Sequence, residues 1–304
     1  MFVIPEGFKE RYSQIVDDPE AFLASLERLT PKSFRVNSLK ASAEEVKARF
    51  ESYDMTVRQM PWYGDAFVSE NPDVGSTLEH CLGWIYIQEL VSMLPPLLVR
   101  EELGSASWVL DGCAAPGSKT TEMAAIMQNR GTIVANDLDY SRIRALKFNL
   151  EKVGALNTMI TNRNLLDFPE NQFDVVILDA PCTSEGTMRK SGAMFTNWSP
   201  TEIPKYSRIQ KAMIVKSFDL LRPGGSMVYS TCTFAPEENE EVVDWLLKNR
   251  QDAKLETITV EGMKLSEGIT GWEGKEYDSR VKLARHVWPH HNDTGGFFMA
   301  KVTR

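Results

Sequence analysis

The stretch from Trp108 to Thr120, WVLDGCAAPGSKT, decides the fold of this chain. Its first three residues are apolar, as in a short buried strand, and a turn of small residues leads from them into a helical pattern. Such a strand-to-helix turn lets a ligand lie against the backbone and the helix N-terminus. Glycine also suits tight turns for purely steric reasons, so the loop by itself is weak evidence of binding.

Strand-like and helix-like segments alternate from about residue 71 to residue 304. The predicted strands are 108–110, 132–136, 173–178 and 226–230, and the predicted helices are 121–128, 140–153, 202–222 and one that starts at 236. This alternation is typical of an α/β fold with a parallel, Rossmann-like sheet covered on both faces. Residues 1–72 differ. Predicted strands at 33–39 and 55–60 around a helix at 43–50 indicate a small N-terminal α/β cap, followed by a second domain at 73–304.

Composition favours a folded cytoplasmic protein. The 304 residues are 42% hydrophobic, which is enough for a substantial core, and the apolar stretch at 84–98 is too short for a membrane helix. No secretory signal opens the chain, because Pro5, Glu6 and Lys9 follow Met1 closely. The net charge of −8 argues against non-specific coating of nucleic acid but allows a local basic surface.

The cysteines and histidines predict no metal site. The four cysteines lie far apart and lack the paired spacing of zinc sites or redox motifs. His286, His290 and His291 have no nearby cysteine and no acid at ligand spacing, so we expect surface histidines in a connection between strands.

The glycine loop and Asp137 together predict a site for a nucleoside-bearing cofactor. Asp137 follows Gly117 by twenty positions, at the end of the next predicted strand, where a carboxylate holds ribose hydroxyls. An alternative is the phosphate loop of nucleotide hydrolases, with Asp179 as the magnesium ligand. That motif needs lysine directly after its second glycine, whereas here Ser118 separates Gly117 from Lys119.

Two cysteines close two predicted strands, Cys182 in LDAPC and Cys232 in YSTCT. The carboxyl ends of parallel strands form the ligand crevice, so both thiols and Asp179 should lie near the cofactor. The plainer interpretation is that each is a small buried hydrophobe. Methylation of cytosine at carbon 5, however, asks for one nucleophile, one acid and one base, because carbon 5 becomes reactive only after a thiolate adds to carbon 6.

Many ordered motifs make the chain resemble the Nop2/Sun family of RNA cytosine-5 methyltransferases, which includes archaeal tRNA and bacterial 16S rRNA enzymes. The matching segments are Arg35–Asn37, Ile85–Glu89, Cys113–Thr120, Asp179–Cys182, Asn197–Pro200, Leu221–Gly225, Tyr229–Thr233, Pro236–Glu240 and Thr294–Ala300. The resemblance covers almost the whole chain and implies a class I methyltransferase fold with S-adenosylmethionine as cofactor.

The resemblance also implies a role for individual residues. Cys232 would be the nucleophile, Cys182 would assist proton removal and release, Asp179 would reach the cytosine, and Lys119 would support the acid or the base. The implied cofactor-binding residues are Cys113, Ala114, Ala115, Pro116, Gly117, Ser118, Lys119, Asp137, Arg142, Asn164 and Asp179. Asn164 stands where the family usually has aspartate. The loss of that charge bears on cofactor affinity and leaves the reaction type unchanged. The sequence after Cys182 also departs from the family's usual Ser-Gly pair.

Local basic segments in an acidic chain predict where RNA binds. We assign Arg35, Arg189, Lys190 and Trp198 to RNA, since aromatic side chains beside basic groups suit single-stranded bases. A solvated charged face is the default alternative. We expect a monomer without a membrane partner, with tRNA slightly favoured over rRNA. A scaffold without activity and a small-molecule methyltransferase are further alternatives, although the first would be expected to lack a thiol or Asp179.

Overall fold

The computed structural model describes residues 3–190, 193–196 and 198–304, so Asn197 of the Asn-Trp-Ser-Pro motif lies outside the described residues. The chain divides into two compact units. The loop unit, which contains the glycine loop, comprises Pro31–Asp179, Lys216–Val228 and Arg304. The thiol unit, which contains Cys182 and Cys232, comprises Met1–Thr30, Ala180–Val215 and Tyr229–Thr303. The predicted domain boundary near residue 72 stays a prediction.

Strands and helices are named in chain order. The strands are β1 (Lys32–Val36), β2 (Val57–Met60), β3 (Tyr63–Ser69), β4 (Ile85–Ile87), β5 (Trp108–Asp111), β6 (Thr132–Asn136), β7 (Thr158–Thr161), β8 (Phe173–Asp179), β9 (Leu221–Thr231), β10 (Lys254–Glu256), β11 (Ser266–Glu267), β12 (Gly271–Trp272), β13 (Lys275–Glu276), β14 (Arg285–Val287) and β15 (Phe297–Thr303). The helices are α1 (Glu6–Tyr12), α2 (Pro19–Leu26), α3 (Ala43–Glu51), α4 (Leu78–Cys81), α5 (Leu94–Leu98), α6 (Arg100–Ser105), α7 (Ser118–Ile126), α8 (Tyr140–Val153), α9 (Ala193–Thr196), α10 (Ile203–Asp219), α11 (Glu240–Asn249) and α12 (Pro289–Asn292). Within the described ranges, no helix has both the length and the apolar character that a membrane crossing requires.

The loop unit is built on a parallel sheet with the strand order β9-β8-β5-β6-β7. Strand β5 lies in its middle and pairs in parallel with both β6 and β8, so that Leu110 lies opposite Val134 on one side and Val176 on the other. Strands β5, β6 and β8 are short and mostly buried, as in sheets covered on both faces. The predicted Rossmann-like α/β fold is confirmed. It places the carboxyl ends of β5, β6 and β8 at one edge of the sheet.

Residues 32–87 contain an antiparallel sheet that the sequence predicted only in part. Its strand order is β2-β3-β1-β4. Strands β1 and β2 and helix α3 were predicted, although β1 ends at Val36 rather than Leu39. Strands β3 and β4 were missed, because β4 has only three residues and β3 lacks regular alternation of buried and exposed positions. A tight packing of Phe34 against Phe50 and Phe67 forms the cap core.

Arg35 is buried in the loop unit and does not face solvent. Its Nη2 donates to Thr121 Oγ1 at 2.9 Å, its Nε donates to Gln88 Oε1 at 3.2 Å, and Nε lies 3.7 Å from the buried Glu122 carboxylate. Burial raises the pKa of Glu122 to about 8, although the charge of Arg35 opposes that rise. The prediction that Arg35 binds RNA is therefore wrong, since its guanidinium ties strand β1 to helix α7.

The thiol unit combines an antiparallel sheet with an aromatic core. Strand β14 pairs with β11 and β15, and β10 pairs with the other end of β15. Phe8, Phe22, Phe234 and Trp288 pack together through edge and stacked ring contacts. Helix α11 begins at Glu240, whereas the sequence predicted a start at Pro236. The four preceding residues form a turn whose side chains bind other segments, as described below.

We predict that Asn37→Ala destabilises the protein. Asn37 is buried, and its Nδ2 donates to the carbonyl oxygens of Gly83 and Val153 at 2.8 Å each. The variant leaves both oxygens without this donor, so the free energy of unfolding should fall by about 1–3 kcal/mol in urea denaturation. Ser38→Ala, at an exposed neighbour, is the control and should change it by less than about 0.5 kcal/mol. Equal stability of the two variants would contradict the assignment.

Candidate active site

The glycine loop is held between neighbouring strands of the loop unit. The N–H of Gly112 donates to the carbonyl of Ile177 at 2.9 Å, and the N–H of Ala114 donates to that of Asn136 at 2.7 Å. Gly117 has φ +108°, and a Cβ there would lie 3.1 Å from Leu146 Cδ1. Glycine is therefore needed at position 117, directly before helix α7 begins.

Asp137 closes against this loop, as the sequence predicted. Its Oδ2 accepts the N–H of Ala115 at 3.1 Å and lies 3.5 Å from Arg142 Nη1, while its Oδ1 accepts the N–H of Asp139 at 2.9 Å. Arg142 also donates to the carbonyl of Ala115. Arg142 thus braces the loop and Asp137 together from the first turn of α8.

Lys119 and Asp179 form an ion pair at the carboxyl end of β8. Lys119 Nζ lies 2.6 Å from Asp179 Oδ2 and 3.1 Å from Ser92 Oγ, and the lysine side chain is only 5% exposed. A phosphate loop requires its lysine to point at the bound phosphates. Here the ammonium is directed at a carboxylate, which does not suit that alternative.

Burial raises the pKa values of two other groups at the loop, Asp111 and Cys113. Burial raises the pKa of Asp111 to about 6, although the hydroxyl of Thr120 donates to its Oδ2 at 2.6 Å. Its Oδ1 is buried and has no hydrogen-bond partner among the described residues. Burial, followed by the charges of Asp111 and Asp137, raises the pKa of the Cys113 thiol well above its usual range. Cys113 is therefore a neutral thiol and contributes packing rather than a nucleophile.

Asn164 lies on the surface of the loop unit after strand β7. Its Oδ1 accepts the N–H of Leu166 at 3.1 Å and so caps a short 3₁₀ turn at Leu165–Asp167. The amide thus orders this segment without adding charge.

The two predicted catalytic thiols lie side by side in the thiol unit. Cys182 Sγ and Cys232 Sγ are 3.5 Å apart. Backbone bonds fix this approach, because Ala180 N–H donates to the carbonyl of Ser230 at 2.9 Å and Gly186 N–H donates to that of Cys232 at 2.8 Å. The hydrogen bond with Cys232 and then burial raise the pKa of Cys182 well above its usual range. Cys182 therefore stays protonated beside Cys232.

Glu238 and Asn239 hold the segments that carry these thiols. Glu238 is buried, and its carboxylate accepts the N–H of Thr183 at 3.1 Å, the hydroxyl of Thr183 at 2.5 Å and the amide of Gln210 at 2.8 Å. Asn239 donates to the carbonyl of Thr233 at 3.0 Å and accepts the hydroxyl of Thr231 at 2.5 Å. The turn Pro236–Asn239 therefore restrains the segment that carries Cys232.

Sequence reasoning missed Glu185. This carboxylate is buried and accepts hydrogen bonds from the hydroxyls of Tyr12 and Thr233 at 2.5 and 2.8 Å and from the indole of Trp198 at 2.6 Å. Trp198 also packs on Phe8 with ring centroids 5.4 Å apart. Its ring is partly buried against the aromatic core, and RNA binding by Trp198 stays a prediction. An acid two residues beyond Thr183 was the only sequence signal.

Arg189 is likewise structural. The residue is 2% exposed. Its guanidinium donates to the carbonyls of Arg28, Leu29 and Thr294 at 2.9, 3.2 and 2.7 Å. It also pairs with Asp293 at 2.5 Å. The prediction that Arg189 binds RNA is wrong, because none of these donors faces solvent. Lys190, the next residue, is exposed and stays a candidate.

The histidines near the end of the chain are not surface groups. His286 is buried, and its Nε2 lies 2.5 Å from Glu240 Oε1. The side chains of His290 and His291 are only 5% and 3% exposed. The prediction of surface histidines is wrong because these rings pack inside the thiol unit.

Comparison with known families gives two matches. Residues 101–303 match the model of the 16S rRNA methyltransferase RsmB/F family, and residues 4–90 match that of the N-terminal domain of 16S rRNA methyltransferase RsmF. A tRNA (cytosine(49)-C(5))-methyltransferase of Pyrococcus abyssi is 41% identical over 97% of this chain and 94% of its own length. The ribosomal RNA small subunit methyltransferase F of a Shewanella strain is 39% identical, but the match spans only 58% of that protein.

Solved structures share the fold. A methyltransferase homolog of Pyrococcus horikoshii superposes with a TM-score of 0.86 at 33% identity, over 99% of this chain and 95% of that one. NSun6 of the same organism, solved with SFG, superposes with a TM-score of 0.83 over 98% of both chains; at 21% identity it supports the fold alone.

We predict that Glu238→Gln reduces the pH dependence of stability. Burial raises the pKa of Glu238 from 4.5 to about 7, so the folded protein holds a proton that the unfolded chain has lost. Stability should therefore fall as the pH rises from about 4.5 through 7, by about 3 kcal/mol for this group. Denaturation curves from pH 5 to 8 should show wild type losing that much relative to Glu238→Gln.

The exposed Glu27→Gln supplies the control and should follow the wild-type curve. Asp111 and Glu122 also titrate in or near this range, but they are common to all three proteins, so the difference isolates Glu238. Parallel curves for wild type and Glu238→Gln would refute the assigned cause.

Proposed function

Because the chain belongs to the RsmB/F family of 16S rRNA methyltransferases, we propose that it transfers a methyl group from S-adenosylmethionine to carbon 5 of cytosine in RNA, through a covalent adduct with Cys232. The resemblance to RNA cytosine-5 methyltransferases is confirmed by that family match. The observation that carries the mechanism is the approach of two thiols to 3.5 Å, each on its own anchored segment.

The residues of the glycine loop fit the proposed cofactor. Small side chains leave the backbone of Cys113–Ser118 open to a ligand, and Asp137 lies beside them. Asp111 Oδ1, a buried oxygen without a hydrogen-bond partner in the described part of the chain, suits the ammonium group of the methionine moiety. When bound, S-adenosylmethionine supplies an electrophilic methyl group.

The protein residues then have distinct roles in the reaction. The Cys232 thiolate adds to carbon 6 of cytosine, and Asp179, after taking a proton from the Lys119 ammonium, supplies that proton at ring nitrogen 3, so that carbon 5 becomes enamine-like. After methyl transfer, a base removes the proton from carbon 5, the bond from carbon 6 to sulfur breaks, and the pyrimidine ring is restored. Lys119, 2.6 Å from Asp179, orients that carboxyl group.

The environment of the two thiols supports different catalytic roles for Cys182 and Cys232. The pKa of Cys182 is raised by the hydrogen bond with Cys232 and by burial, so its S–H is available as a donor. A donor at this position stabilises a thiolate on Cys232. We assign addition to Cys232 and assistance in proton removal and release to Cys182.

The alternatives have less support. A nucleotide hydrolase has no role for paired thiols, and Lys119 is directed at Asp179. A scaffold without activity would not need to retain both thiols and Asp179.

We favour tRNA as the substrate. The Pyrococcus abyssi relative, whose name specifies a tRNA cytosine, matches along nearly its entire length. The chain spans about 58% of the Shewanella rRNA enzyme. We further propose a cytoplasmic monomer, since the proposed reaction uses one chain and cellular RNA.

Substitution of each thiol tests the mechanism. With labelled tRNA and S-adenosylmethionine, Cys232→Ala should lower methylation by more than about a thousandfold and form no adduct, because it lacks the nucleophile. Cys182→Ala should allow addition and methyl transfer but stall release, so a protein–RNA band should survive denaturing electrophoresis.

The exposed Cys81→Ala is the matched control and should behave as wild type. An adduct in the Cys232 variant but not in the Cys182 variant would exchange the two roles. Full activity in both variants without any adduct would rule out covalent catalysis. Methylated positions mapped in tRNA and in 16S rRNA would decide the substrate.

RNA binding should depend on exposed basic residues of the thiol unit. Lys190 and Arg208 are exposed, unlike Arg189. Charge reversal of both, Lys190→Glu with Arg208→Glu, should weaken RNA binding by about tenfold or more and lower the slope of affinity against salt, because fewer counterions are released. Lys282→Glu, exposed on another segment, is the control. If the double variant keeps the wild-type affinity and salt slope, the RNA lies elsewhere.

A further inference from the structure

Three potential metal-binding side chains converge in the thiol unit, apart from the cysteines. Asp17 lies between helices α1 and α2, while His290 and His291 belong to α12. The Nε2 atoms of His290 and His291 lie 2.8 and 2.9 Å from Asp17 Oδ1, and that of His291 is 3.0 Å from Oδ2. One ligand atom from each residue lies within 4.8 Å of the other two.

The cluster is enclosed on the histidine side and open on the carboxylate side. The imidazoles are 5% and 3% exposed, whereas the Asp17 side chain is 50% exposed. His290 packs edge-on against Phe22 with ring centroids 5.9 Å apart, and the ring centroids of the two imidazoles lie 4.1 Å apart. This packing fixes both rings with Nε2 directed at the same carboxylate, so a cation from solvent meets preformed ligands.

We propose that Asp17, His290 and His291 form a binding site for a divalent zinc ion, with water as the fourth ligand. Two imidazole nitrogens and one carboxylate oxygen are a donor set that zinc prefers. Ligands about 2.0–2.1 Å from tetrahedral zinc lie about 3.3 Å from one another. The separations of 2.8–3.0 Å from the imidazoles to Asp17 would open by a few tenths of an ångström on binding.

Lys264 competes with a cation but does not block it. Its Nζ lies 2.9 Å from Asp17 Oδ2, and its side chain is 62% exposed. The ammonium can remain on Oδ2 while a metal takes Oδ1, or it can turn to solvent. The proposed ion would connect the segment before α2 to α12, so binding should stabilise the folded state.

Zinc and cobalt titrations of the chelator-treated full-length protein test the proposal. Calorimetry should show one zinc ion per chain, zinc should raise the Tm, and cobalt should give the absorption of a tetrahedral site. Asp17→Asn retains an oxygen that can accept a hydrogen bond but removes the charge, and it should weaken binding by at least tenfold. His290→Ala and His291→Ala should do the same.

Controls separate this site from the thiols, which also bind zinc. In Cys182→Ser/Cys232→Ser the metal should still bind with wild-type affinity. His80→Ala, at a histidine outside the cluster, and Lys264→Ala should retain binding. Binding that survives in Asp17→Asn but disappears in the double cysteine variant would overturn the proposal. Absence of zinc binding by folded wild-type protein would overturn it as well, and would leave the cluster as a hydrogen-bonded contact.

Discussion

Two buried carboxylates, Glu185 and Glu238, are the constraint on which the arrangement of the thiols depends. Glu238 holds the backbone and hydroxyl of Thr183, directly after Cys182. Glu185 accepts the hydroxyl of Thr233, directly after Cys232. A buried carboxylate is costly unless donors surround it, so each acid fixes the segments that supply its donors. The side-by-side thiols are a consequence of those anchored segments.

The loop unit follows the same principle. Arg35 and Glu122 are buried together, and Asp137 binds both the glycine loop and Arg142. Most polar residues of the recognisable sequence motifs therefore organise backbone segments. Asp179 differs, because its side chain remains one-third exposed while Lys119 holds one of its oxygens. That combination suits a group that must meet a substrate.

The sequence predicts the parallel sheet well and the surroundings of the site less well. Strand β6 and helix α8 have the predicted bounds, because buried parallel strands are continuous apolar runs and α8 has regular apolar spacing. Charge along the sequence does not reveal burial, so Arg35 and Arg189 were wrongly assigned to RNA. Asp17 could not be linked to His290, because 273 positions separate them and only tertiary packing joins them.

In the proposed mechanism, Cys232 bonds to carbon 6 of the cytosine that is methylated. An RNA substrate with 5-fluorocytidine at the modified position tests this bond. A base can remove a proton from carbon 5 but cannot remove fluorine in its place, so the covalent adduct persists. Mass spectrometry of the digested complex, formed with S-adenosylmethionine, should find the methylated nucleotide linked to the peptide that contains Cys232. A nucleotide linked to the Cys182 peptide, or turnover of unmodified RNA with no trapped adduct from the fluorinated RNA, would contradict the account.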